Sequence, residues 1–242
     1  MRPVQRLARR LGWDLVPRRK ARPHEAQIVH IVNRFRVGCV LDVGANVWQY
    51  GAMLRAWGYR GRIVSFEPLA AAHAALARRA AGDARWQVAP RTAIGDREGE
   101  IEIEVSAESD MSSIRPQSAL LREISPSSRI TGRERVPLAR LEVAAAPFLQ
   151  PDERLFLKSD TQGFEAEVLA GARGLLPRLA GLQLELSLVR CYEGETDWRA
   201  MIDRLAALGF VPYLFIPGYF ERKLARQLQI DGVFMREEED GR

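Results

Sequence analysis

The chain has 242 residues, of which 47% are apolar and 28% are charged, and both fractions are close to those of soluble globular proteins. This length predicts one domain with a sizeable core, and the composition excludes a chain that is disordered throughout. No apolar run approaches the ~18 residues of a membrane span, and no apolar stretch follows the N-terminal arginines as in a signal peptide, so we expect a cytoplasmic protein.

The net charge of +5 is concentrated at the N-terminus. Residues 1–22 contain eight Lys and Arg against Asp14 alone, a charge of +7, whereas the rest of the chain has 28 Lys and Arg against 30 Asp and Glu, a charge of −2. Apolar residues lie among these arginines at roughly helical spacing. The segment is interpreted either as a short helix on an anionic membrane surface or anionic substrate, or as a solvated arm. We therefore divide the chain into a basic segment, 1–22, and a single domain, 23–242.

Nucleic acid is not an expected partner. The body of the chain is slightly acidic, and it has no stripe of interleaved aromatic and basic residues that would indicate a nucleic-acid groove. The expected partner is a small molecule or a glycan.

The first predicted elements surround a glycine turn. Apolar residues at helical spacing predict an amphipathic helix from His24 to Phe35. The run from Val40 to Val43 is apolar except for Asp42 and predicts a buried strand of a parallel sheet. Gly44 ends this run, and a residue without a Cβ allows a sharp turn and the close approach of a ligand. A helix predicted from Gln49 to Trp57 would direct its first N–H groups at that ligand.

A carboxylate ends the next apolar run. Residues Ile63 to Phe66 predict a second strand, and Glu67 follows it, 23 residues after Gly44. In a strand–helix–strand unit, a carboxylate at this position can accept hydrogen bonds from both hydroxyls of a ribose. The turn Asp42-x-Gly44-x-Asn46 lacks the second glycine that admits a pyrophosphate, which argues against a dinucleotide-dependent oxidoreductase. Asp42 would repel a phosphate but could accept hydrogen bonds from a cationic amino-acid group. S-adenosylmethionine is therefore the better match.

The middle of the chain contains a long connection. Residues Glu100 to Val105 alternate strictly between acidic and apolar, which predicts a strand with one wet face, either in the main sheet or in a hairpin. The stretch from Ser106 to Thr131 is rich in Ser, Pro and Arg, and connections of this length are often lids or binding loops. We expect the acceptor pocket there, with Ser112 and Ser113 as the candidate substrate-binding residues. A solvated loop is the alternative.

Strands and helices alternate through the remaining sequence, which predicts an open doubly wound α/β sheet that binds ligands beyond the carboxyl ends of its strands. Asp160 follows one such strand and lies at such an end. Gln183, Glu185 and Ser187 share one face of the next strand. The elements predicted beyond the second strand are, in chain order, a helix at 69–80, a strand at 86–89, strands at 154–158 and 182–188 separated by a helix at 165–170, a helix at 198–208, and a closing pair of strands at 211–216 and 230–235.

Three blocks of the chain resemble the signatures of FkbM-type S-adenosylmethionine-dependent methyltransferases: 42–47 (DVGANV), 66–68 (FEP) and 157–165 (LKSDTQGFE). The resemblance implies the class I methyltransferase fold, a Rossmann-like doubly wound sheet that is mostly parallel with an antiparallel C-terminal strand. In that fold the strand before Asp160 lies beside the strand before Gly44. It also implies an O-methyltransferase that acts on a hydroxyl of a sugar, a glycan or a polyketide-like small molecule. The predicted cofactor-binding residues are Asp42, Gly44, Ala45, Asn46 and Glu67.

Methyl transfer to a hydroxyl requires orientation and a group that accepts the hydroxyl proton. The three histidines lie outside the strands that flank the site, so Asp160 and Glu185 are the candidate catalytic residues. They would act as a metal-free base or would hold Mg²⁺ that acidifies the alcohol. The structural alternatives are a helix cap for Asp160 and a buried ion pair with Lys158 for Glu185.

One position departs from the family pattern, because Trp48 stands where the family usually has glycine. A glycine there permits close contact between the helix and the first strand. The alternative function is therefore a non-catalytic binding or scaffold protein that keeps the methyltransferase fold while Trp48 obstructs the cofactor site. If Trp48 instead turns outward, the site stays open.

Overall fold

The computed structural model describes residues 23–107, 111–125 and 128–237. The predicted contact of the basic segment, 1–22, with an anionic surface lies outside these residues. Within the described ranges, no helix is both long enough and apolar enough to cross a bilayer.

Strands and helices alternate as the sequence predicts, and each predicted element agrees with an observed one to within three residues at each end. The strands are β1 (Cys39–Val43), β2 (Arg62–Phe66), β3 (Trp86–Val88), β4 (Ala93–Gly95), β5 (Gly99–Ser106), β6 (Ile130–Arg140), β7 (Leu155–Ser159), β8 (Leu179–Ser187), β9 (Phe210–Pro217), β10 (Phe220–Glu221), β11 (Arg226–Gln227) and β12 (Gln229–Arg236). The α-helices are α1 (His24–Arg34), α2 (Gln49–Ala56), α3 (Ala70–Ala80), α4 (Ala119–Ile124), α5 (Leu141–Ala145), α6 (Glu165–Gly171) and α7 (Trp198–Ala207).

A seven-stranded sheet with the order β3-β2-β1-β7-β8-β12-β9 forms the centre of the fold. The five strands from β3 to β8 pair in parallel, whereas β12 is antiparallel to both of its neighbours. This arrangement confirms the doubly wound, mostly parallel class I methyltransferase sheet with an antiparallel C-terminal strand. The pairing of β1 with β7 also confirms that the strand before Asp160 lies beside the strand before Gly44.

Helices cover both faces of this sheet, which explains why β1 is buried along its whole length. Val40 packs with buried residues of α1, α2 and α3 on one face. Its neighbours Leu41 and Val43 pack with α5, α6 and α7 on the other. Because successive side chains of a strand point to opposite faces, an apolar run of this kind supplies both cores at once.

The alternating segment after β4 does not extend the main sheet. It forms β5, which pairs antiparallel with β6, and β4 completes a separate three-stranded sheet in the order β4-β6-β5. The strand β6 is not predicted from the sequence. In the described part of the long connection between β5 and β6, Ser113 forms an isolated bridge with Glu104, and α4 follows it. The bridge pairs the start of the connection with β5, and the Ser113 hydroxyl joins it to the turn after β7 by donating to the Gln162 carbonyl.

Candidate active site

A cavity of about 380 Å³ lies at the carboxyl ends of β1, β2, β7 and β8. Open α/β sheets bind their ligands at this edge, and the volume lies within the ~300–1,000 Å³ of typical ligand pockets. The structure brings most of the predicted site residues together there. Those that line the cavity are Gly44, Ala45, Asn46, Glu67, Ser112, Ser113 and Asp160, whereas Asp42 and Glu185 are not among its lining residues.

Gly44 forms the turn after β1 in a backbone conformation with φ of 70°. A Cβ at this position would lie 1.9 Å from the carbonyl oxygen of Asp160. The Asp160 N–H in turn donates to the carbonyl of Val43 at 3.2 Å. The turns that follow β1 and β7 are therefore in direct contact, and only glycine satisfies both the positive φ and the lack of space.

Glu67 joins the first turn to the second. Its Oε2 accepts the N–H of Asn46 and its Oε1 accepts the N–H of Leu69, both at 2.8 Å. Each oxygen thus accepts one backbone N–H among the described residues, and a carboxylate oxygen can accept two hydrogen bonds. Glu67 lines the cavity, and its burial raises its pKa to about 7. This geometry fits the vicinal hydroxyls of a ribose.

Asp42 does not meet the cavity as the sequence interpretation expects. It is fully buried, where its Oδ2 accepts a hydrogen bond from the Ser65 hydroxyl at 3.0 Å and its Oδ1 lies 3.6 Å from Lys158 Nζ. Burial raises the pKa of Asp42, while the Lys158 charge and the Ser65 hydrogen bond oppose that rise. Asp42 therefore does not line the cavity, and it affects the site through Lys158.

Lys158 contacts both the turn at Gly44 and the turn at Asp160. Its Nζ donates to the Gly44 carbonyl at 3.1 Å, lies 3.6 Å from Asp160 Oδ2, and stands 5.5 Å from the centre of the Tyr50 ring. Burial disfavours the charged form, but the carboxylates of Asp160 and Asp42 raise the pKa of Lys158 above its ordinary value. The ammonium therefore stays charged inside the site. Its partners are these two aspartates, so the predicted alternative pairing with Glu185 is wrong.

Asp160 and Glu185 occupy unequal positions. The side chain of Asp160 is 37% exposed and faces the cavity. Gln162 Nε2 bridges the two carboxylates, at 2.7 Å from Asp160 Oδ1 and 3.0 Å from Glu185 Oε2. Glu185 also accepts from Gln229 Nε2 at 2.8 Å. Burial and the nearby Asp160 raise the pKa of Glu185 well above its ordinary value. Glu185 therefore does not line the cavity, and the side chain of Gln162 connects it to Asp160.

The structure also bears on two alternatives for Asp160, a helix cap and a Mg²⁺ ligand. Helix α6 has Phe164 at its N-cap and no side-chain cap, so Asp160 does not cap it. In the described part of the chain there is no group of three or more His, Cys, Asp or Glu that could hold a metal ion. The amide of Gln162 also fills the gap between Asp160 and Glu185. These residues give no support to the Mg²⁺ alternative.

The predicted serine pair forms part of the cavity wall. Ser112 Oγ accepts the N–H of Ser106 at 3.0 Å. Ser113 is buried, donates its hydroxyl to the Gln162 carbonyl at 2.6 Å and accepts the N–H of Arg115 at 3.0 Å. Ser113 thus fixes the wall to the turn that carries Asp160, while Ser112 lies beside it on the cavity surface.

Trp48 does not line the cavity, and 38% of its surface is exposed. The obstruction expected from its size is therefore not observed. Its φ of 144° lies in the region that favours glycine, which gives a backbone reason for the glycine common at this position. The close contact between α2 and the sheet is made instead at Gly51, where a Cβ would lie 2.2 Å from the Trp86 ring.

Tyr50, Gln183 and Asp231 are among the polar lining residues that were not selected from the sequence. The Tyr50 hydroxyl donates to Gln183 Oε1 at 2.9 Å, and the Gln183 side chain hydrogen-bonds Asp231. Burial, and then the Asp160 charge, raise the pKa of Asp231 to about 6. The signal in the sequence was one acidic residue in the otherwise apolar closing strand. It could not be placed because Asp231 lies near the start of an antiparallel strand and not at the end of a parallel one.

Comparisons with solved structures show distant likenesses. The methyltransferase domain of bacterial CtHen1 has a TM-score of 0.48 at 10% identity, covering 89% of this chain and 97% of that one. TehB from Haemophilus influenzae has a TM-score of 0.49 at 8% identity, covering 91% and 64%. The magnesium protoporphyrin IX methyltransferase of Synechocystis PCC 6803, solved with SAM bound, has a TM-score of 0.44 at 11% identity, covering 95% and 89%. No curated protein matches the sequence significantly.

The sequence itself gives the stronger relationship. The family model described as the methyltransferase FkbM domain matches residues 42–212, a range that begins at the first turn of the site and extends into β9. This match spans more than half of the chain and includes both the turn at Gly44 and the turn at Asp160. The protein therefore belongs to the FkbM methyltransferase family.

Proposed function

We propose that the protein is an S-adenosylmethionine-dependent O-methyltransferase that acts on a hydroxyl of a sugar, a glycan or a polyketide-like small molecule. The observation that carries this proposal is a single cavity shared by Glu67, the Gly44 turn and Asp160. One end of that cavity suits a ribose, and the other presents a carboxylate that can accept a proton.

The residues present fit the cofactor. Glu67 offers a hydrogen-bond acceptor on each of its two oxygens, and Gly44 leaves the floor of the cavity free of a side chain. Apolar residues at the same end, Leu69 and Ile94, provide a surface for a planar base. When bound, adenosylmethionine would supply an electrophilic methyl group on a sulfonium.

Asp160 is the proposed catalytic residue. Gln162 holds its Oδ1 and Lys158 lies near its Oδ2, so the carboxylate has a fixed orientation at the cavity surface. With the cofactor bound, this carboxylate would accept the proton of the acceptor hydroxyl while the methyl group passes from the sulfonium to the hydroxyl oxygen and leaves a neutral thioether. Positioning of the hydroxyl supplies the larger part of the rate, since a carboxylate is a weak base for an alcohol. Glu185 acts through Gln162 and is a positioning residue.

The wall formed by Ser112 and Ser113 supports an acceptor on the side of the cavity nearest to Asp160. It contains hydroxyl groups next to the apolar side chain of Ile114. Such a mixed surface suits a molecule that presents hydroxyls on a partly apolar skeleton, as sugars and polyketides do.

Calorimetry and a transfer assay test the proposal in two stages. We expect the wild-type protein to bind S-adenosylhomocysteine, and we expect Glu67→Gln to weaken that binding. Sugars, glycosides and hydroxylated polyketides are then screened with a donor labelled in its methyl group, using Asp160→Asn as the negative control. Absence of adenosylhomocysteine binding would overturn the proposal. Binding without transfer to any hydroxyl would favour the alternative of a non-catalytic binding protein.

A further inference from the structure

We propose that Asp231 and Lys158 bind the amino-acid end of the cofactor, with the Asp231 carboxylate accepting from its ammonium and the Lys158 ammonium facing its carboxylate. The inference rests on the proposed function and assigns residues to one end of the same cavity. The expected partner of that ammonium, Asp42, is enclosed by Ser65 and Lys158 and does not reach the cavity. Another carboxylate must then take this place.

The sheet brings Asp231 to the required side. Lys158 pairs in register with Gln183, and Asp231 pairs with Glu185, two residues further along the same strand. Directly opposed residues share a face, as do residues two apart on one strand. Lys158, Gln183 and Asp231 therefore point to one face of the sheet, towards Tyr50 of α2, and all of them line the cavity.

The order of the strands determines what a ligand meets. A ligand that Glu67 holds by its ribose at the end of β2 must pass β1 at Gly44 before it reaches Lys158 on β7. Asp231 lies on β12, two strands beyond Lys158, at a backbone separation of about 10 Å. The lysine side chain spans part of that distance, and the remaining gap suits a small group with two charged ends.

The charges in this part of the cavity match a zwitterion. Lys158 is a buried cation, and Asp231 is a carboxylate held by the Gln183 amide, which Tyr50 orients in turn. A zwitterionic amino acid offers its ammonium to Asp231 and its carboxylate to Lys158, in addition to the two aspartates that already lie 3.6 Å from the Lys158 ammonium. A neutral hydroxyl acceptor carries no charged group for either Asp231 or Lys158. The amino-acid end of the cofactor is therefore a better occupant than the methyl acceptor.

Two related ligands test the assignment without any knowledge of the acceptor. S-adenosylhomocysteine carries the amino-acid end, whereas 5′-methylthioadenosine shares the adenosine and the thioether but lacks that end. We expect Asp231→Asn to weaken adenosylhomocysteine binding about tenfold to a hundredfold, the scale of a lost charged hydrogen bond, and to change methylthioadenosine binding less than twofold. The control Glu67→Gln should weaken both ligands by the same factor, because both contain the ribose.

The outcomes separate this inference from the proposed function. If the wild-type protein binds neither ligand, the cofactor site itself is wrong and the inference falls with it. If Asp231→Asn binds adenosylhomocysteine as tightly as the wild type does, or weakens both ligands equally, only the inference is overturned. A second measurement uses the wild-type protein, so its result does not depend on whether the variant folds. The deamino analogue of adenosylhomocysteine keeps the carboxylate, and we expect it to bind at least tenfold more weakly than the parent, whereas equal binding would overturn the role of Asp231.

Discussion

The α-carbon of Gly44 faces the carbonyl oxygen of Asp160 so closely that a Cβ would lie 1.9 Å from it. The turn expected to hold the cofactor and the turn expected to hold the base therefore cannot move independently. Lys158 reinforces this contact, since it donates to the carbonyl of Gly44 and lies beside the Asp160 carboxylate.

Gly44→Ala should damage both turns at once. Alanine disfavours the φ of 70° and its methyl group would overlap the Asp160 carbonyl, so we expect a loss of ~2–4 kcal/mol in the free energy of unfolding and no measurable binding of adenosylhomocysteine. Denaturant unfolding and calorimetry measure the two effects. Gly82→Ala is the matched control, because no described atom lies within 4 Å of its Cβ position, and it should leave both quantities nearly unchanged. A Gly44 variant that behaves like the control would contradict the contact.

Asp160→Asn should separate chemistry from binding. We expect turnover to fall by ~10²-fold or more, the usual scale for a proton-accepting group, while adenosylhomocysteine binds as before. Glu185→Gln should reduce turnover less, by under about tenfold, because Glu185 acts through Gln162. Rates with a labelled methyl donor measure both variants. Equal losses would mean that Glu185 contacts the reacting groups, against its position in the structure.

Glu67 should make ligand binding depend on pH. Its pKa is raised to about 7 by burial, and only the ionised form accepts both backbone N–H groups and ribose hydroxyls. The affinity for 5′-methylthioadenosine should therefore be highest above pH 8. It should fall as the pH drops below about 7, by up to about tenfold per pH unit. Glu67→Gln cannot titrate and should show a flatter profile in the same calorimetric series. Parallel profiles of the two proteins would exclude Glu67 as the titrating group.

The same pKa shift acts on stability with the opposite sign. Folding raises the pKa of Glu67 from 4.5 to about 7, so the folded state without ligand binds this proton more tightly than the unfolded state does. The resulting stabilisation is complete below pH 4.5 and is lost as the pH rises through about 7. Thermal melts of the unliganded protein and of Glu67→Gln should therefore differ in slope across this window.

Trp48 allows a test of backbone strain with two variants. Trp48→Ala and Trp48→Gly both remove the half-exposed ring, but only glycine adopts a φ of 144° without strain. We expect the glycine variant to be more stable than the alanine variant by ~1–3 kcal/mol, measured by chemical unfolding. Adenosylhomocysteine should bind to both as it binds to the wild type, because Trp48 does not line the cavity. An alanine variant that is as stable as the glycine variant would show that the conformation costs nothing.

The basic segment predicts an electrostatic contact. With a charge of +7 in residues 1–22 and −2 in the rest, full-length protein should sediment with vesicles rich in anionic phospholipid, and a variant lacking residues 1–22 should not. Added salt should release the full-length protein, since charges are screened over ~10 Å at 0.1 M ionic strength. Equal sedimentation of both proteins would leave the segment without this role.

The sequence was sufficient to predict where a residue lies when one strong physical constraint acts on its position. Gly44 and Glu67 could be placed because a parallel strand that ends in a ligand-binding turn limits both the residue type and the spacing. The sequence similarly predicted the strands of the main sheet and the helices α1, α2, α3, α6 and α7, but not α4 or α5. Alternation identified β5 as a strand with one wet face, but it could not show the partner, since pairing with β6 joins residues up to 39 positions apart, such as Gly99 and Leu138.

The site residues that were misplaced depend on contacts that no local pattern contains. Asp42 was expected to meet the cofactor because it lies in the turn motif, yet the sheet encloses it between Ser65 and Lys158. Glu185 was expected beside Asp160, but Gln162 lies between them. Such side-chain order arises from packing across several strands and becomes visible only in three dimensions.

The direction of β12 affects how this site can diversify. Because β12 is antiparallel to its neighbours, its first residues, and not its last, lie at the site. The residues just before β12 form the small hairpin of β10 and β11. Changes of length or sequence in this hairpin would reshape the surface beside Asp231 without altering the turns at Gly44 and Asp160. Variation in this hairpin would therefore change which molecules fit beside Asp231 while both turns keep their positions.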